Sequence, residues 1–237
     1  MWDERNPDCN FLNRKPLLRV HALTCLRRGS ADIIARHPDG LLLFERVGQV
    51  HFLCADTKDA VRALLKMMPQ VPVMVSDLHE MDEWIMKERG FTGRTVCTNV
   101  VYLKREPVQI DTELALRPLP PEAAKTVSAH YSLHDPDTIE GFIAEGRLLG
   151  GYLKDELVGF TGWHEEGAMG MLHVFEPYRR KGYAYAMEAL QINLTLARGE
   201  LPHGQVIQGN GASLALQKKL GFTAAEGTVS WLFSDRE

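Results

Sequence analysis

The run Tyr178-Arg179-Arg180-Lys181-Gly182-Tyr183-Ala184 sets three cations around one glycine, a combination suited to holding an anion. Residues 169–174 read as a strand, Glu176-Pro177 breaks it, and Met187, Leu190, Leu194 and Ala197 mark one face of the helix that follows. The run therefore ends at a helix N-terminus, where backbone N–H groups lack intrahelical partners and the helix dipole is positive. Gly182 lets a phosphate approach where a Cβ would obstruct it, while Arg179, Arg180 and Lys181 supply charge. The chemistry fits the pyrophosphate of a nucleotide-type cofactor. A basic turn before a helix is also an ordinary solvated cap, so the reading needs a second motif.

That motif lies downstream. Residues 204–208 read as a short strand, followed by Asn210-Gly-Ala-Ser213-Leu-Ala-Leu-Gln217-Lys-Lys-Leu220-Gly221-Phe222. Asn210 suits a helix N-cap, Leu216 and Leu220 share a face, and Gly221 suits the left-handed residue that ends a helix. With both motifs in this order, the chain resembles the GNAT superfamily of acyl-CoA-dependent N-acyltransferases over residues 114–233. Within it, the sequence looks most like the glycine N-acyltransferase branch, through Arg198-Gly-Glu-Leu-Pro202, the Asn210 motif and Trp231.

The resemblance implies acetyl-CoA or another acyl-CoA as cofactor, bound by Val174, Arg179, Arg180, Lys181, Gly182, Tyr183, Ala184, Asn210, Ser213 and Gln217. It implies direct attack of an amine on a thioester. The amine must lose a proton, the thioester oxygen must be stabilised and the thiolate must leave. The family's oxyanion donor, a backbone N–H at the end of the cofactor strand, maps to Val174 or its neighbour Phe175. Its usual base position is Ala168 here, so the nearest ionisable groups are candidates: Glu166 first, then His164 and His173, with a water chain as the alternative. Strand alternation puts His173 on the face opposite Val174 unless a bulge re-aims it. Many relatives place a tyrosine seven residues after the equivalent of Asn210, as acid for the leaving sulfur. This chain has Gln217, which has no proton to give. His130, Tyr131, Ser132, Leu133 and His134 form a polar and aromatic loop suited to an amine acceptor, with Trp163 and Trp231 as further lining.

The elements that position these groups fall into two sets. A break at 104–111 separates an N-terminal unit, 1–106, from a second at 112–237. The expected class is α/β (α+β): a GNAT fold with a mixed, mostly antiparallel sheet and flanking helices, preceded by a smaller GNAT-like half without the phosphate loop. In that half, 40–44 and 50–54 read as a hairpin, 57–68 and 77–89 as helices and 71–75 as a strand. Glu80, Asp82, Glu83, Lys87 and Glu88 read as the exposed face of the second helix. Met86 to Thr92 echoes Lys218 to Thr223, each a helix closed by Gly-Phe before a strand, as after a duplication. His21, His37, His51 and His79 lack ligand spacing.

Composition bounds the function. The chain's 237 residues are 45% hydrophobic, enough for one large core or two small ones, and no apolar run approaches a membrane span. Cys9, Cys25, Cys54 and Cys97 are too scattered for a disulfide framework or zinc site, so no metal is expected. A net charge of −4 argues against nucleic acid as partner. Met1 to Asn6 is too polar for a signal peptide, which makes the cytoplasm the expected compartment. The expected activity is N-acetylation or N-acylation of a primary amine on a small metabolite or amino acid. The alternatives are a non-catalytic acyl-CoA sensor and an acetyltransferase of protein or peptide amino groups.

Overall fold

Apolar residues spaced three and four apart, and runs that alternate or are apolar throughout, set the elements of the N-terminal half. A computed structural model describes residues 7–131 and 134–234; the run 1–6 and Ser132-Leu133 of the acceptor loop lie outside them. In chain order come α1 (Pro7–Leu12), α2 (Val20–Arg28), β1 (Ala31–His37), β2 (Gly40–Glu45), β3 (Val50–Ala55), α3 (Lys58–Leu65), β4 (Val73–Ser76), α4 (Asp82–Arg89) and β5 (Gly93–Val101). The second half supplies β6 (Leu114–Pro118), α5 (Ala124–His130), α6 (Pro136–Ala144), β7 (Leu148–Leu153), β8 (Glu156–Trp163) and β9 (Met169–Val174). It closes with α7 (Tyr183–Ala197), β10 (His203–Ile207), α8 (Gly211–Leu220), β11 (Thr223–Ala224) and β12 (Val229–Phe233).

Among the described residues these strands form one mixed sheet in the order β1-β2-β3-β4-β12-β5-β10-β9-β8-β7-β6, with β11 beside β5. Its pairs are antiparallel except β3 with β4 and β9 with β10. Each parallel pair brackets a helix in sequence, α3 or α7, as a parallel connection requires. The last strand of each half crosses into the other: β12 lies between β4 and β5, and β5 between β12 and β10. Alternate residues of β5 show the two layers, Cys97 packing with α1 and α2 and Val100 with α7 and α8. Helices α5 and α6 extend the first layer over Phe160 and Met171, while α3 and α4 extend the second over Leu232.

The expected helix over 77–89 is shorter. Asp77 is used elsewhere: its carboxylate accepts from Ala55 N at 2.7 Å and from Arg19 Nε at 2.6 Å, so the chain passes through a 3-10 turn, His79–Met81, before α4 begins. Asp82 is not on the exposed face that its helical position suggests. It is buried, accepting from Ser230 Oγ at 2.5 Å with His79 Nδ1 2.6 Å away. Helices α4 and α8 end alike, on left-handed Gly90 (φ 72°) and Gly221 (φ 92°), with Phe91 N donating to Met86 O and Phe222 N to Gln217 O. Among the described residues no helix is long and apolar enough to cross a membrane.

Candidate active site

The cap of α8 borders the cleft of the site, whereas none of the residues 178–184 of the glycine turn lines it. Gly182 sits at the N-cap of α7 with φ 86°, and a Cβ built there would meet nothing within 4 Å, so the approach to the helix end is open. Arg180 also takes a left-handed conformation, φ 63°, which folds the turn tightly against the helix start. Tyr183 and Ala184 begin the first turn, Tyr183 packing beside Val158 and Met187. The cations diverge. Arg179 Nε turns back to Val174 O at 2.9 Å, Lys181 Nζ lies 5.6 Å from the Tyr178 ring centroid, and Arg180 is exposed. At the second motif, Asn210 Oδ1 accepts from Ser213 N at 3.0 Å and caps α8.

Between these helix ends the sheet opens. Strands β9 and β10 are joined by a single pairing, Gly204 with Met169, and part beyond it; the corresponding parallel pair β3 and β4 is joined at three positions. Strand β9 also carries a bulge. Phe160 pairs with His173 and Gly162 with Gly170, so Met171 and Leu172 together oppose Thr161, and Met171 adopts φ 58°. The extra residue resets the alternation: Met171 packs with Phe160 toward α5 and α6, whereas Leu172 and Val174 face α7. His173 and Val174 therefore stay on opposite faces.

A cleft of about 510 Å³ runs through this opening, lined on the α7 and α8 side by Asn210, Ser213, Gln217 and Glu188. Toward α2 and α5 it is lined by Tyr131, His134, His164, Glu165 and Glu166. Glu166 is 5% exposed, and burial, reinforced by Glu165 and Glu45, pushes its carboxyl up to about 8. It stands on a turn that the N-terminal half supports. Cys25 Sγ of α2 donates to Glu166 O at 3.4 Å, and the Arg28 guanidinium occupies the space a Cβ at Gly167 would need. The His164 ring fills the equivalent space at Gly170, with Nδ1 3.4 Å from His134 Nε2; burial and its neighbours His134 and His203 lower it to about 4. His164 is thus neutral near pH 7.

Glu188 is a site residue that sequence reading missed. It is 5% exposed; one carboxylate oxygen accepts from Gln217 Nε2, and the other is buried without a partner, as is Gln217 Oε1. Burial pushes the Glu188 carboxyl up to about 7. The available signal was a lone carboxylate inside an otherwise apolar helical stretch, Ala186-Met187-Glu188-Ala189-Leu190. The expected buried face of α7 is also different, since Leu194 and Ala197 are exposed while Glu188, Gln191 and Thr195 are buried. Polar residues can lie inward because they find partners: Thr161 Oγ1 donates to Gln191 Oε1 at 2.6 Å, and Trp163 Nε1 to Thr195 Oγ1 at 3.0 Å.

That last bond takes Trp163 out of the acceptor site. Its ring is buried under α7 with the Arg198 guanidinium 4.2 Å from its centroid, whereas Trp231 lines the cleft and donates to Gln205 Oε1 at 2.7 Å. His173 and His130 do not line the cleft either. Their rings lie 4.9 Å apart beside Phe175, where a hydrophobic cluster and the neighbouring Arg179 hold them. Phe175 N donates to Val158 O at 3.0 Å and is not free to serve an oxyanion. The bulged backbone at Met171 and Leu172 does border the cleft.

The sequence matches no protein-family model and no curated protein. Solved structures are similar in fold. A Drosophila protein aligns with TM-score 0.67 and 17% identity, over 92% of this chain and 89% of its own. A GNAT-family acetyltransferase from Colwellia psychrerythraea gives 0.52 and 12%, covering 86% and 85%. A GCN5-related N-acetyltransferase from Kribbella flavida gives 0.55 and 11%, covering 93% and 96%. At these identities the likeness is one of fold, and the fold of this chain is that of the GNAT-family acetyltransferases.

Proposed function

We propose that the protein is an N-acyltransferase that moves an acyl group, acetyl in the simplest case, from acyl-CoA to a primary amine of a small molecule. The supporting observation is the opening between β9 and β10. It leads from Glu188 of α7 and the capped start of α8 on one side to the carboxylates Glu165 and Glu166 on the other, while the anion-suited turn at Gly182 lies outside its lining. The residues present fit the cofactor: an open left-handed glycine at a helix N-terminus for the pyrophosphate, and a parted parallel pair for an extended arm. Acetyl-CoA supplies the activated acyl carbon as a thioester.

The chain supplies the proton transfers by direct attack in a ternary complex. Glu166, when ionised, takes the amine proton, and a carboxyl group poised near neutrality suits that task. Backbone N–H groups at the bulge receive the developing oxyanion in place of Phe175. Glu188, held by Gln217, gives a proton to the departing sulfur, taking the place of the family's tyrosine. A non-catalytic sensor is the second reading, favoured by Ala168 and Gln217 at the two usual proton-transfer positions. Thiol release from acetyl-CoA, measured across a panel of amines, separates them. Turnover with any amine supports the enzyme; tight acetyl-CoA binding with no release across the panel supports the sensor.

A further inference from the structure

We infer that the acceptor is a primary amine on an apolar, aromatic-sized body that carries no carboxylate. The inference rests on the acyl-transfer reading and adds the substrate class to it. Three features of the cleft carry it. First, Glu165 and Glu166 line it and Glu45 stands nearby, its carboxylate accepting from Gly48 N at 2.6 Å while Gly48 packs against Glu165. Carboxylates at this mouth attract an ammonium group.

Second, none of the described residues lining the cleft is lysine or arginine. Arg28 lies against Gly167 and does not line the cleft. An amino-acid acceptor would bring its own carboxylate among these acids with no cation to pair it. The polar donors on this side are neutral: the hydroxyls of Thr95, Tyr131 and Thr138, and Gln205 Nε2, which is buried without a partner. Neutral hydrogen bonds without a cation do not offset the desolvation of a carboxylate set among other carboxylates. Third, the wall built by β3, β4, β5 and β12 is mostly apolar, from Val50, Val73, Cys97, Trp231 and Phe233, with Thr95 among them. The N-terminal half thus shapes the acceptor side with strands that themselves carry no phosphate loop. This class departs from the amino acid that a glycine N-acyltransferase would take.

The test uses the full chain with saturating acetyl-CoA and follows thiol release with phenethylamine, phenylalanine, phenylalanine methyl ester and glycine, each compared per neutral amine. The kcat/KM for phenethylamine should exceed that for phenylalanine by at least about a hundredfold, and the ester, its charge removed, should recover to within about tenfold of the amine. Trp231→Ala should raise KM for phenethylamine several-fold more than that for methylamine, with the calorimetric Kd for acetyl-CoA reporting that the fold is intact. Equal or better turnover of phenylalanine or glycine overturns the substrate class and leaves acyl transfer standing. Absence of release with every acceptor removes acyl transfer, and the class with it.

Discussion

At the scale of residues, the proposed mechanism gives two buried carboxylates opposite tasks. As base Glu166 must be ionised and as acid Glu188 must be protonated; with the base near 8 and the acid near 7 the productive pair is a minor form at every pH and most populated near 7.5, so kcat/KM should follow a narrow bell that rises below about 7 and falls above about 8. Glu166→Gln should lower turnover by roughly 10² to 10⁴ while acetyl-CoA affinity stays constant, because general-base catalysis contributes that much. Near-normal turnover in Glu166→Gln, His164→Ala and His173→Ala alike would exclude a side-chain base. Glu188→Gln should remove the alkaline limb, and adding Gln217→Tyr should restore part of the rate by supplying a phenol. Stability carries the same signature. Both groups hold protons in the folded chain that the unfolded chain gives up near pH 4.5, so the native state binds more protons and stability falls as pH rises toward 8. Between pH 7.5 and 8.5, where His164 is largely neutral in both states, the melting temperature should fall in the wild type and stay flatter in Glu166→Gln.

At the scale of elements, the start of α7 carries the cofactor prediction. Gly182→Asp combines a left-handed backbone that a Cβ disfavours with a negative charge where the pyrophosphate should sit. Affinity for acetyl-CoA should drop by more than about tenfold, ~1.4 kcal/mol. Calorimetry on the folded variant decides it, and an unchanged Kd would remove the phosphate site. The glycine, the cations and the Asn210 cap were legible in the sequence because each is a local device within a few residues of a helix end. The buried face of α7 was not. Periodicity counts apolar residues, whereas Gln191 and Thr195 turn inward to partners in β8, a strand some thirty residues earlier.

At the scale of the whole molecule, the exchanged strands make two sequence halves into one sheet. A fragment covering 112–237 leaves β12 without β4 or β5 and β10 without β5, and it should fail to fold cooperatively. A sharp thermal transition together with native acetyl-CoA affinity in that fragment would show that the halves are independent. The three-point pairing of β3 with β4 leaves no equivalent of the opening in the second half, so titration of the intact chain should give one CoA site. Two sites of similar affinity would contradict this.

The sequence by itself determined the strand and helix around the glycine turn, the Asn210 cap and the resemblance of the two Gly-Phe helix ends, since these depend on contacts between near neighbours. It also pointed to Glu166, an acid just ahead of the cofactor strand. Tertiary structure alone decided that Asp82 is buried against Ser230, that Trp163 belongs to the core and Trp231 to the cleft, and that Glu188 meets Gln217. Each of those outcomes joins residues 26 or more positions apart. Their partners are set by strand exchange and by where the sheet parts, and no short-range pattern encodes either.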